Sequence, residues 1–159
     1  MTTTNELRPV LGNFSSIVCF KAAISGMEEA LGEKATAIAL IAAGRSRGKN
    51  LAKELGLSKS GLDFATLPGK LDAAIGEAGT RLCIVKQIVE EDGIIKVYTA
   101  ETLCSAGEAP GSARKCTFTM GAVWGALEEI GDMRLQGQHT ESVLRGGSYD
   151  VFEFKNVTK

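Results

Sequence analysis

The stretch Arg81–Glu101, RLCIVKQIVEEDGIIKVYTAE, decides the fold. It is two β-branched runs joined by Asp92-Gly93, the turn chemistry that a tight hairpin demands. Upstream of it the apolar pattern has a helical period. Ile17, Phe20, Ile24, Met27 and Leu31 alternate spacings of three and four and make one stripe. That stripe predicts a helix from an N-cap at Asn13 to a stop at Gly32. A second helix is expected over 33–55, ended by Gly56. Its first half, with AIALIAA at 37–43, is apolar almost all round and is expected to be buried from several sides. Pro68 suits the first turn of a third helix over 67–78.

Downstream, a loop over 105–113 leads to a helix over 115–130 carrying Phe118, Val123, Trp124, Leu127 and Ile130. A second hairpin, turning at Gly146-Gly147, closes the pattern. The order α-α-α-β-β-α-β-β predicts an α+β domain, helices packed on a small antiparallel sheet. Residues 1–12 read as a mobile tail and 13–159 as a single domain.

Composition narrows the function. With 18 basic and 19 acidic side chains in 159 residues, no cationic surplus exists to neutralise phosphates, which argues against nucleic acid. The first residues lack the apolar core of a secretory signal, and AIALIAA falls far short of a bilayer span. A cytoplasmic protein is expected, with peripheral membrane association left open. Cys19, Cys83, Cys104 and Cys116 show no CxxC or zinc spacing. They read as reduced, small, buried apolar residues. A labile Cys104/Cys116 pair is the alternative.

GRSRGKN, Gly44–Asn50, has three residues between its glycines and Asn50 after Lys49, so it fails the phosphate-loop pattern. Its glycines fit another role. Gly44 and Gly48, and Gly121 and Gly125 in GAVWG, stand four apart on two helices, as close helix crossing requires. The alternative is space for a ligand beside Trp124.

In the closing hairpin a two-residue turn pairs Leu144 with Tyr149, Val143 with Asp150, Glu141 with Phe152 and His139 with Phe154. Alternation then turns His139 and Glu141 to the core side with Phe152 and Phe154, and Gly137 leaves a gap beside them. One reading is a structural pair, Glu141 being satisfied by an arginine, by His139 or by backbone. The other is a polar anchor in an apolar pocket, with His139, Glu141, Trp124, Phe152 and Phe154 as ligand-binding residues. No nucleophile–base–acid set emerges, so catalysis is not the leading expectation.

Two segments carry a resemblance: RKCTFTMGAVWGALEEIGDMRLQGQHTESVLRGGSYDVFEF at 114–154 and AGRSRGKNLAKELG at 43–56. Together they resemble the 4-vinyl reductase (small-molecule-binding) domains. That resemblance implies the fold of the transport protein particle (TRAPP) trafficking subunits, a tendency to dimerise, and an apolar ligand. Within it the tetrapyrrole or chlorophyll-precursor class is the best match, in service of photosystem assembly. Glu141, Gly147, Tyr149, Phe152 and Glu153 match family positions. The two family cysteines fall on Leu144 and Asp150, so the resemblance implies no metal at this hairpin. A dimerising interaction scaffold built on the first two helices is the second expectation. A vinyl reductase ranks third, because no nicotinamide or flavin fingerprint is present.

Overall fold

The computed structural model describes residues 8–10 and 16–159. Helices α1 (Ile17–Leu31), α2 (Glu33–Glu54) and α3 (Leu67–Ile75) precede strands β1 (Ile84–Glu91) and β2 (Ile94–Ala100). Helix α4 (Thr117–Gly131) and strands β3 (Leu135–Glu141) and β4 (Asp150–Asn156) follow. The four strands form one antiparallel sheet in the order β1-β2-β4-β3. Asp92 and Gly93 both have positive φ, 52° and 75°, and close the first hairpin as expected.

The sheet buries one face. Ile88, Ile95, Val97, Phe152 and Phe154 point from it into a core shared with α3, with Val123 and Leu127 of α4, and with Leu51 of α2. The other face carries ion pairs such as Lys96 with Glu91 and Glu153. Alternation of apolar and polar side chains along the strands produces that division.

Helix α4 lies against α2, and the glycines explain how closely. A Cβ on Gly44 would sit 2.9 Å from Ala122 N, and one on Gly48 would sit 1.9 Å from Ala122 O. On the facing helix, a Cβ on Gly121 would meet Ile41 O at 2.5 Å and one on Gly125 would meet Arg45 O at 2.0 Å. Backbone packs on backbone, so the tight crossing is present and the space beside these glycines is full.

Two element boundaries differ from expectation. Ser16 caps α1, its hydroxyl accepting the Cys19 N–H at 3.4 Å. Asn13 lies outside the described residues, as does most of the stretch read as a tail. Helix α3 stops at Ile75 because Gly76 turns to extended backbone, its N–H bonding Asp72 O.

The first half of α2 is the larger correction. Only Thr36 and Leu40 are buried before Gly44, while Ile38 is 63% exposed and Ala35, Ala39, Ala42 and Ala43 are exposed with it. Helix α1 covers one flank of α2 through Phe20, Ile24 and Met27, and nothing among the described residues covers the exposed flank that carries Ile38.

Candidate functional site

The closing hairpin folds with a different turn. Val143–Arg145 forms a single 3-10 turn, capped by the Ser142 hydroxyl on Leu144 N–H, so the loop is longer than two residues. The register moves by two: His139 pairs with Phe152 and Gly137 with Phe154. A shift of two preserves the face, and His139 still points inward. A bulge between His139 and Glu141 then inverts the phase. Glu141 therefore points to solvent, not to the core side. Any structural pairing of Glu141 inside the core is excluded by that exposure.

His139 instead joins a buried cluster. Its Nδ1 accepts the backbone N–H of Cys116 at 3.2 Å, so that nitrogen carries no proton. Nε2–H consequently donates to Asp150 Oδ1 at 3.1 Å. Asp150 Oδ2 accepts from the Thr102 hydroxyl at 2.9 Å, and Thr99 Oγ1 bonds the Asp150 carbonyl at 2.8 Å. The side chains of His139 and Asp150 are 2% and 0% exposed. Burial pushes the Asp150 carboxyl upward, but hydrogen bonds from His139, Ser142 and Thr102 outweigh it and hold the group below its ordinary value.

Cys104 and Cys116 form a disulfide above this cluster, with Cα atoms 5.1 Å apart. The expectation of reduced thiols is therefore corrected at this pair. The pair spans the loop that the sequence places between β2 and α4. One ligand atom each from Cys116, His139 and Asp150 lie within 4.8 Å of one another, a spacing that suits a metal ion. With its sulfur in the disulfide, Cys116 has no thiolate to give, and the other two groups are bonded to each other. Among the described residues Cys19 and Cys83 are the free thiols. Burial, with Asp72 and Asp150 nearby, pushes the Cys83 thiol up to about 12, which makes it unreactive.

Trp124 is occupied by packing. Its ring lies edge-on to Phe154, with centroids 6.0 Å apart, and the Arg45 guanidinium sits 4.6 Å from its centroid. Its Nε1–H bonds Leu135 O at 3.1 Å. Arg45 also bridges to buried Glu128, whose other oxygen accepts Leu135 N–H at 2.9 Å. The gap expected at Gly137 is filled, since a Cβ there would meet the Phe154 ring at 2.6 Å and Trp124 at 3.2 Å. Phe152 and Phe154 are fully buried, and His139 stacks edge-on against Phe152. Four of the five proposed ligand-binding residues thus form a packed wall, and Glu141 stands outside it.

The open space lies elsewhere. A cavity of about 610 Å³ opens between the end of α1, the start of α2 and the loop before α4. Its apolar lining comes from Ile24, Ala37 and Leu40. An ionic rim surrounds them: Arg114 pairs with Glu28 at 2.9 Å and with Glu108, and Lys21 pairs with Glu108 at 2.6 Å. The Lys21 ammonium is the main cause that lowers the Glu108 carboxyl, against the opposing effect of burial. Thr36 also lines this cavity, and it is 1% exposed with no hydrogen-bond partner for its hydroxyl. The sequence signal for it was weak: one threonine inside an alanine-rich helix, KATAIAL, at a position four residues before Leu40 on the same face.

No protein-family profile matches the chain, and no curated protein matches it in sequence. Solved structures do share its fold. The phenol-responsive sensory domain of the transcription activator PoxR, solved with phenol, superposes with a TM-score of 0.66 at 12% identity, covering 89% of this chain and 75% of that one. Trafficking protein particle complex subunit 3 from Naegleria fowleri, covalently bound to palmitic acid, superposes with a TM-score of 0.59 at 16% identity, covering 88% and 92%. The chain has the α+β fold of these two proteins. No helix among the described residues is long and apolar enough to cross a membrane.

Proposed function

We propose that this domain binds a small, largely apolar molecule with one hydrogen-bonding head, in the cavity between α1, α2 and the loop before α4. The observation that carries the reading is the Thr36 hydroxyl, buried without a partner at a cavity whose apolar strip is Ile24, Ala37 and Leu40. A buried hydroxyl left unpaired costs about 1–3 kcal/mol, and a ligand that pairs it recovers that cost on binding. The cavity offers an apolar strip flanked by charged and hydroxyl side chains, among them Glu33, Lys34 and Thr117, so it can hold an apolar body and a polar head together. Two proteins of this fold were solved with a phenol and with a fatty acyl chain, which supports the same ligand class. A chlorophyll precursor, and with it a role in photosystem assembly, belongs in the panel on the strength of the sequence resemblance.

The test is native mass spectrometry of protein from its own host, followed by thermal shift with substituted phenols, medium-chain fatty acids and protoporphyrin. A ligand at a hundred times its Kd raises Tm by roughly 5–10 °C for a chain of this size. Thr36→Val removes the hydroxyl and keeps the shape. It is expected to stabilise the empty protein by about 1 kcal/mol and to weaken a hydrogen-bonding ligand about tenfold. A Thr36→Val protein that is less stable than wild type would show that the hydroxyl is already paired, and the reading would fail.

The uncovered flank of α1 and α2 favours a companion reading, a homodimer. Val18, Leu31 and Ile38 are 74%, 63% and 63% exposed, among exposed alanines at 22, 23, 30, 35, 39, 42 and 43. Exposed apolar side chains gathered on neighbouring helices are the usual mark of an interaction site, here with Glu29 and Lys34 among them. Sedimentation equilibrium at micromolar concentration is expected to give a dimer, and Ile38→Glu a monomer. A wild-type monomer under those conditions removes this reading without touching the cavity.

A further inference from the structure

Two helices start at the cavity, and they run the same way. A Cβ on Gly121 would meet Ile41 and Gly44, and one on Gly125 would meet Arg45, so α4 is parallel to α2. Setting Gly121 against Gly44 puts Thr117, the first residue of α4, level with Leu40. Helix α2 begins at Glu33 and so overhangs the start of α4 by about two turns, roughly 10 Å. Those turns wall the cavity through Lys34, Thr36, Ala37 and Leu40, while Lys115 and Thr117 bring the start of α4 to it.

Parallel helices do not cancel each other's dipoles, and each N-terminal end carries about half a positive charge. Neither start has a side-chain cap, Gly32 preceding α2 and Cys116 preceding α4. The N–H groups of an uncapped first turn suit an anion. Two orphaned hydroxyls lie at the same ends. Thr36 lines the cavity, and Thr119 lines an adjoining void of about 10 Å³ that shares Ile24, Arg114, Lys115 and Thr117 with it. Each threonine is 1% exposed, and neither hydroxyl has a partner.

The side-chain charges point the same way. Glu108 pairs with Lys21 and Arg114, and Arg114 also holds Glu28, so those four cancel. In the rest of the lining, Lys34 and Lys115 stand exposed against Glu33 alone, and neither lysine makes an ion pair among the described residues. The cavity is therefore positive by one side chain and two helix ends.

We infer that the head of the bound molecule is an anion of the carboxylate class, seated at the start of α4 between Lys34 and Lys115. The Thr36 hydroxyl donates to it, and the apolar tail follows Ile24, Ala37 and Leu40. This inference rests on the cavity proposed above and adds the sign of the head's charge. So small a surplus suits a singly charged carboxylate better than a phosphate, which carries nearly twice the charge at pH 7.

The experiment is isothermal titration of the whole chain at low salt with octanoate, octanol, octyl phosphate and octyltrimethylammonium, four heads on one tail. Octanoate is expected to bind about tenfold tighter than octanol, with the ammonium weakest. Salt at about 0.5 M narrows the advantage of octanoate and leaves octanol unchanged. Lys34→Gln and Lys115→Gln are each expected to weaken octanoate about threefold without affecting octanol, and Glu33→Gln to strengthen octanoate about twofold. All three positions are exposed, so the fold survives, and thermal unfolding without ligand checks it. Equal affinity for octanoate and octanol, or lysine variants that weaken both alike, would overturn the anionic head and leave the cavity standing. Octyl phosphate binding tighter than octanoate would overturn the carboxylate class. If none of the four binds, the cavity and the inference fall together.

Discussion

Gly48→Ala, set against Gly26→Ala, separates the role of glycine as a spacer from its cost as a helix residue. Both positions are helical, in α2 and α1, so alanine gains about 1 kcal/mol of helix propensity at either. Their surroundings differ. Nothing lies within 4 Å of a Cβ built on Gly26, whereas one on Gly48 would lie 1.9 Å from Ala122 O and 2.7 Å from Ala126 N. Those atoms are helix backbone and cannot swing aside. To bring 1.9 Å to the 3.4 Å of an ordinary contact, α2 and α4 must part by about 1.5 Å. A gap of that size forfeits much of the dispersion along the crossing, and overpacking of this kind costs about 3 kcal/mol. Net of propensity, Gly48→Ala is expected to lose about 2 kcal/mol and 4–8 °C of Tm, while Gly26→Ala gains roughly 0.5–1 kcal/mol. Urea unfolding with equal m-values measures both. If Gly48→Ala stabilises the protein, or if both variants shift alike, the helices are not in backbone contact and the account of the crossing is wrong.

Asp150→Asn removes the anion that Thr102, Ser142 and His139 hold, and should cost about 2 kcal/mol at pH 7. The carboxyl is depressed in the fold relative to 3.8, so its contribution is present above that pH and disappears as pH falls through the lower folded value. The stability gap between wild type and variant should therefore be constant above about pH 5 and narrow as pH falls below 3.8, and a gap that widens on acidification would refute the assignment. Glu141→Gln, beyond the bulge and exposed, should change stability by less than about 0.5 kcal/mol, and a larger loss would place the side chain back inside.

What could be read from the sequence, and what could not, follows from the range of the interactions involved. The first hairpin was legible because Asp92-Gly93 sets the turn and the β-branched runs set the period, all within 21 residues. The glycine pairs were legible for a similar reason: spacing of four puts both on one helix face. The closing hairpin was not, because Ser142 caps a 3-10 turn in a place where the glycines suggested a two-residue one. The bulge at Thr140 left no mark in the pattern of alternation, so Glu141 was placed on the wrong face. The exposed flank of α2 was misread because hydrophobicity alone does not say whether the covering surface belongs to the same chain.

The cluster around His139 shows why polar residues deserve to be read in three dimensions before they are given a role. In sequence, Thr102, Cys116, His139 and Asp150 sit on four separate segments, and Asp150 looked like a substitute at a lost cysteine position. In the fold they close on one another, and each polar atom has a partner there. A cluster so completely satisfied offers a ligand nothing to pair with. Thr36 is the opposite case, a polar atom with no partner at the edge of open space. A ligand gains from pairing a group that is unsatisfied before it arrives, so the proposed site is the cavity beside Thr36 and not the aromatic wall of the hairpin.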